Sequence, residues 1–168
     1  MNLVFLVVGI SGVGKSTACQ VACSTIQNSI HITASRFIEK EPILALDQHK
    51  LTRKIKSEID KESNKVFLID GHLTLKKFKV PLSAIKTLRI DYLIILTEKP
   101  EVIRNRRLKD IGKEREKESL NRITYSQEME IHYGIHTAKK LNIPLFIIKN
   151  VYGDELSKVL KKKILEKK

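Results

Sequence analysis

Leu3-Val4-Phe5-Leu6-Val7-Val8-Gly9-Ile10-Ser11-Gly12-Val13-Gly14-Lys15-Ser16-Thr17 decides how this chain reads. Leu3–Val8 is a short apolar run rich in branched side chains, the composition of a strand covered on both faces. Helical spacing follows from about Lys15 to Gln27. Between them lies the pattern G-x-x-x-x-G-K-[ST], in the strand–loop–helix setting that gives it meaning. Its glycines let the backbone turn sharply, so that successive N–H groups point into an anion-sized hollow. The helix that follows adds its positive dipole end. Gly9, Ser11, Gly12, Val13, Gly14, Lys15, Ser16 and Thr17 are therefore the expected phosphate-binding residues of a mononucleotide site, a motif that by itself does not separate kinase from ATPase, GTPase or nucleotide-binding module. Lys15 is expected to span phosphate oxygens, and the Ser16 hydroxyl to ligate Mg²⁺.

The rest of the chain continues the alternation. Ser29–Thr33 is a strand candidate, and Glu41–Lys61 a charged helical region. Val66–Ile69, Tyr92–Leu96 and Pro144–Ile148 are further buried-strand candidates, and Pro100-Glu101 opens a helix with proline in its first turn. Leu156, Val159, Leu160 and Ile164 give the last helix one apolar face. Helices alternating with buried strands predict a parallel α/β sheet with right-handed crossovers. No repeat or long linker divides the chain, so one domain over 1–168 is expected.

Val66-Phe67-Leu68-Ile69 ends at Asp70-Gly71-His72. A buried strand of this kind delivers a carboxylate to the sheet edge where ligands bind. Asp70 is thus a candidate catalytic residue and Mg²⁺ ligand, and a strand-ending turn is its structural alternative. His72 is a candidate acceptor contact, with a structural hydrogen-bonding role as its alternative. Farther on, residues 104–115 carry Arg104, Arg106, Arg107, Lys109, Lys113 and Arg115, opposed by Asp110 and Glu114. Such a cluster beside Gly112 suits a lid that closes over phosphates, with Arg107 and Arg115 as its expected catalytic donors and Arg104 as plain surface.

Composition narrows the classes. Of 168 residues, 42% are hydrophobic and 30% charged, a folded rather than disordered balance. No apolar run reaches the length of a membrane span, and the opening residues lack a basic n-region and cleavage site. The expectation is a cytoplasmic protein without membrane contact. Cys19 and Cys23 lie four apart in the predicted first helix, without metal-finger spacing. They read as small, partly buried, reduced residues. The net charge of +13 favours anionic partners. Nucleotides are the expected ones. Nucleic acid is admitted by the charge, by Lys76-Lys77-Phe78-Lys79 and by Lys161-Lys162-Lys163, but aromatics make up only 5% and no stacking series stands out. Nothing in the sequence indicates an oligomeric state.

Taken together, these motifs resemble the P-loop nucleoside-monophosphate-kinase-like family, and most closely the archaeal-type adenylate kinases. The resemblance runs through the phosphate loop, Asp70-Gly71-His72, Asp91–Leu96, Lys99-Pro100-Glu101-Val102-Ile103, Arg106–Asp110, Gln127–Glu130 and Ile147–Asn150. It implies a three-layer P-loop NTPase fold around a central five-stranded parallel sheet. It also implies a short helical lid near 104–118, an acceptor region near 33–62 and ATP with Mg²⁺ as donor. In that region Arg36 and Arg53 become candidate acceptor-phosphate anchors. The chain departs from the family pattern at Leu73–Leu82, where three lysines stand in place of a glycine- and proline-rich loop. The lid also lacks cysteine, which excludes a zinc-bearing lid. The implied function is ATP-dependent transfer of a phosphoryl group to a nucleoside monophosphate. A polynucleotide 5′-hydroxyl kinase and a non-catalytic ATP-binding partner protein are the alternatives.

Overall fold

A computed structural model describes residues 1–38, 45–75, 78–110, 118–151 and 154–167. Strand β1 (Leu3–Val8) leads through the phosphate loop into helix α1 (Lys15–Thr25). Strand β2 (Ser29–Thr33), a 3₁₀ turn at Ala34–Phe37 and helix α2 (Ala45–Asp60) come next. Strand β3 (Val66–Gly71) is followed by a small hairpin of β4 (Thr74–Leu75) and β5 (Phe78–Lys79), then α3 (Leu82–Thr87). The chain continues through β6 (Tyr92–Thr97), α4 (Pro100–Lys109), α5 (Leu120–Leu141), β7 (Leu145–Lys149) and α6 (Glu155–Glu166).

The main sheet has five parallel strands in the order β2-β3-β1-β6-β7. This is the expected α/β architecture. Alternation along β1 shows why it is covered on both faces. Val4, Leu6 and Val8 join one apolar cluster with residues of α2, α3 and α5. Phe5 and Val7 join the other with Ala18, Cys19 and Ala22 of α1, Ile103 of α4, and Leu156 and Leu160 of α6. Successive side chains on a strand point to opposite faces, so a run with no polar position must be buried twice.

The hairpin at Thr74–Lys79 is absent from the sequence reading, because two-residue strands are too short to show a period. Strand β3 also runs on through Asp70 and Gly71 instead of stopping at Ile69. Of the expected lid, residues 104–109 form the second half of α4, while Gly112, Lys113 and Arg115 lie outside the described residues. Glu41 likewise falls outside them, and α2 is described from Ala45. Among the described residues, no helix is long and apolar enough to cross a membrane.

Candidate active site

Strand β1 sits in the middle of the sheet and releases the phosphate loop at the carboxyl edge. Gly9 has φ +151°, and a Cβ there would lie 2.6 Å from the Leu96 carbonyl oxygen of neighbouring β6. Only glycine lets the loop leave the sheet this close to another backbone. Helix α1 then begins at Lys15, with no acidic residue in its first turn to offset the dipole. Lys15 is buried. Its Nζ donates to the Gly9 carbonyl at 2.8 Å and the Ile10 carbonyl at 3.2 Å, and lies 3.5 Å from His72 Nε2. Burial lowers the ammonium to about 8, against the opposing charges of Asp70 and Glu130. Ser16 and Thr17 are exposed at the helix start, and Val13 is buried beneath the loop.

Register brings the second element in. Asp70 of β3 lies opposite Val7 of β1, and Gly71 opposite Val8, so the carboxylate arrives at the edge where the loop departs. Asp70 Oδ2 accepts from His31 Nε2 at 2.6 Å and from Thr33 Oγ1 at 3.4 Å. Burial pushes the Asp70 carboxyl up. Hydrogen bonds from His31 and Ser16, with the charges of His31 and Lys15, outweigh it and hold the group below the usual carboxylate range. Asp70 is therefore ionised at neutral pH, with the Ser16 hydroxyl beside it. His72, two residues on, is pushed down to about 3 by burial and by the Lys15 charge, and is neutral.

The arginines of α4 approach the loop from outside. Arg106 Nη1 donates to the Val13 carbonyl at 2.7 Å and its Nη2 pairs with Glu98 at 3.4 Å. Arg107 Nε donates to the Ser11 carbonyl at 2.8 Å and its Nη1 pairs with Glu118. The stem of Arg107 lies over Gly12, where φ is +84° and a Cβ would stand 3.0 Å from Arg107 Cγ. Arg104 points to solvent.

Beside the loop lies a largely apolar pocket of about 100 Å³ between the 3₁₀ turn, α2 and the hairpin. Ile55, Ile69, Leu73 and Val80 form walls, Gln48 and Thr52 contribute polar atoms, and Asp70 with His72 closes the end facing the phosphate loop. Arg36 and Arg53 are exposed and do not line it. The expected acceptor residues thus divide: His72 joins the pocket, whereas the two arginines stand on the surface.

A model of the AAA domain family matches residues 8–124. The chain belongs to that family. It is 27% identical to adenylate kinases of Pyrococcus furiosus and Pyrococcus horikoshii, across 89% of this chain and 87% of theirs. The adenylate kinase of Thermococcus onnurineus is 24% identical over the same shares. The fold is similar to that of a gluconokinase from Sinorhizobium meliloti 1021, with a TM-score of 0.58, 12% identity and 98% and 97% of the two chains covered. It is also similar to the tunicamycin resistance protein of Deinococcus radiodurans, with a TM-score of 0.64, 8% identity and 98% and 96% coverage. The chain is a P-loop kinase of the nucleoside-monophosphate-kinase-like group, an ATP-dependent phosphotransferase.

Several residues of the kinase site were given no role of their own by the sequence reading. Arg106 reaches the loop as closely as Arg107 does. His31 holds Asp70. Glu130 of α5 is fully buried and accepts from the Leu73 and Thr74 amides at 2.8 Å each, and from the Thr74 hydroxyl. This fixes the chain as it leaves His72. Gln127 exchanges two hydrogen bonds with the Glu98 backbone, at 3.0 and 2.9 Å. A signal for the last pair existed. Ile123, Gln127, Glu130, Gly134 and Thr137 share the buried stripe of α5, and polar side chains at core spacing need partners.

Proposed function

We propose that the kinase transfers the ATP γ-phosphoryl group to a nucleoside monophosphate. The observation that carries this reading is the pocket beside the phosphate loop, whose lining includes Asp70 and His72, the latter 3.5 Å from Lys15 Nζ. A nucleotide hydrolase needs no such neighbour; a kinase must seat an acceptor in line with the transferred group. Apolar walls suit the plane of a base, and the resemblance to archaeal adenylate kinases supports a nucleotide acceptor.

In this reading the amides of Gly9–Thr17 cradle the donor phosphates, and Lys15 swings from the Gly9 and Ile10 carbonyls to phosphate oxygens. Arg107, with Arg106 beside it and Arg115 farther along, supplies charge as negative charge spreads over the moving group. The hard oxygens of Ser16 and of ionised Asp70 fit Mg²⁺. When bound, the ion neutralises charge on the donor phosphates. His72, being neutral, offers the acceptor a hydrogen bond without repelling Lys15. Arg36 and Arg53, which do not line the pocket, are left in this reading as candidate anchors for the acceptor phosphate outside its walls.

The test is coupled ADP release with ATP·Mg²⁺ and, separately, nucleoside monophosphates, nucleosides and 5′-hydroxyl oligonucleotides. Turnover with one or more monophosphates is expected. Phosphorylation of oligonucleotides alone, or ADP release indifferent to acceptor, would overturn the reading.

A further inference from the structure

We propose that Cys19, His31 and Asp70 form a site for a thiophilic divalent ion of the zinc class, and that its occupancy shuts off the kinase. Cys19 Sγ, a His31 ring nitrogen and an Asp70 carboxylate oxygen all lie within 4.8 Å of one another. His31 Nε2 and Asp70 Oδ2 are already 2.6 Å apart.

The convergence is built by the fold. Leu68 belongs to the apolar cluster on the α1 face of the sheet. Asp70, two residues on, returns to that face by strand alternation. His31 lies between Ile30 and Ile32, which both pack on the opposite cluster, so its ring is turned toward α1 as well. Cys19 comes down from the buried side of α1, one turn after Lys15. Three elements therefore meet at one point below the phosphate loop, and neither Cys19 nor Asp70 is exposed.

One sulfur, one imidazole nitrogen and one carboxylate oxygen make a donor set for zinc or cobalt rather than magnesium. With bonds of about 2.0–2.3 Å to such an ion, tetrahedral ligand atoms stand roughly 3.2–3.6 Å apart, so closure asks for a movement of about 1 Å. Three protein ligands leave a fourth position for water. On binding, the Cys19 S–H bond breaks, a sulfur–metal bond forms and the proton leaves to solvent. The hydrogen bond from His31 to Asp70 is broken: the Nε2 proton leaves to solvent, the neutral ring carries its single hydrogen on Nδ1, and the freed Nε2 lone pair and the Asp70 oxygen each bond the ion. Asp70 is then lost to the hard ion at Ser16, which is the source of inhibition. This inhibitory half rests on the proposed assignment of Asp70; the binding half does not.

Cobalt(II) titrated into the metal-free, reduced full chain reads the binding half. Tetrahedral d–d bands and a sulfur-to-cobalt charge-transfer band are expected, saturating at one ion per chain. Cys19→Ser should lose the charge-transfer band, and Cys23→Ser should keep it. His31→Asn, which spares the buried thiol position, should weaken cobalt binding about tenfold or more. It serves should Cys19→Ser fail to fold, as judged by circular dichroism. In the kinase assay at fixed Mg²⁺, zinc should inhibit the wild type and Cys23→Ser alike, while Cys19→Ser needs about tenfold more, each normalised to its own zinc-free rate. An absent charge-transfer band, or one that depends on Cys23 instead, would overturn the site. Intact cobalt spectra with zinc-insensitive turnover would overturn the inhibition alone. A protein without turnover would count against the proposed function and leave the spectra to decide the site.

Discussion

Lys15→Met should stabilise the nucleotide-free protein while removing its response to ATP. Methionine keeps most of the stem's apolar volume and none of the charge. In the fold the Lys15 ammonium is lowered from 10.5 to about 8, chiefly by burial. At about 1.4 kcal/mol per pH unit, that difference sets an upper limit of about 3.4 kcal/mol on what the buried charge costs at neutral pH. Two losses offset it. The Gly9 and Ile10 carbonyls forfeit a donor each, and Asp70 loses a nearby cation. A net gain of about 1–2 kcal/mol remains, which for a chain of this size raises Tm by about 2–8 °C. The pH dependence gives a separate check. Between pH 8 and 10.5 the folded wild type has released the Lys15 proton while the unfolded chain still holds it. Wild-type stability therefore gains from this group as pH rises through that window, and Lys15→Met lacks the gain. Thermal unfolding at pH 7 and pH 10, with and without ATP·Mg²⁺, measures all of this. ATP at 100 times its Kd should add about 2.7 kcal/mol to the wild type and far less to the variant. A variant less stable than wild type by more than about 1 kcal/mol at pH 7, with an unchanged pH slope, would refute the argument.

Glu130→Ala strips acceptors from the buried Leu73 amide and the Thr74 amide, and should cost about 3–4 kcal/mol in denaturant unfolding. The His72 ring stays neutral in the fold down to about pH 3, whereas the unfolded chain protonates it near 6.5. Stability should therefore fall as pH drops through that interval, and His72→Asn should flatten the slope of the denaturation midpoint against pH. Arg107→Ala should lower kcat by about 10²–10³ with a smaller change in the KM for ATP. Arg104→Ala, on the solvent side of α4, should stay within about twofold of wild type in the same steady-state assay.

What the sequence disclosed divides by sequence distance. The phosphate loop is contiguous and its chemistry belongs to the backbone, so eight residues of pattern sufficed to place Lys15 and Ser16. Strands β1, β3 and β6 were legible because burial on both faces leaves runs with almost no polar residue. The partners of Asp70 and of the Leu73–Thr74 amides were not. His31 is 39 positions from Asp70, and Glu130 is 57 from Leu73. Those contacts exist only because β2 lies next to β3 and α5 packs on β6 and β4, and strand order is not written in local periodicity. Nor could helical spacing choose between Arg106 and Arg107, which point about 100° apart on α4.

That ambiguity dissolves once the carbonyls of the phosphate loop are followed. The Gly9 and Ile10 oxygens accept from Lys15, the Ser11 oxygen from Arg107 and the Val13 oxygen from Arg106. Carbonyls two residues apart in the loop, those of Ser11 and Val13, thus take one α4 arginine each. In a planar trans peptide the C=O and the following N–H point in opposite directions. Cations that hold carbonyls outward therefore turn the next amides toward the hollow where phosphate oxygens bind. The basic side chains near this loop act on its shape as well as on its ligand. Removing Arg106 should accordingly weaken ATP binding itself, whereas removing Arg107 weighs more on turnover, and the KM-to-kcat split between the two alanine variants separates the roles.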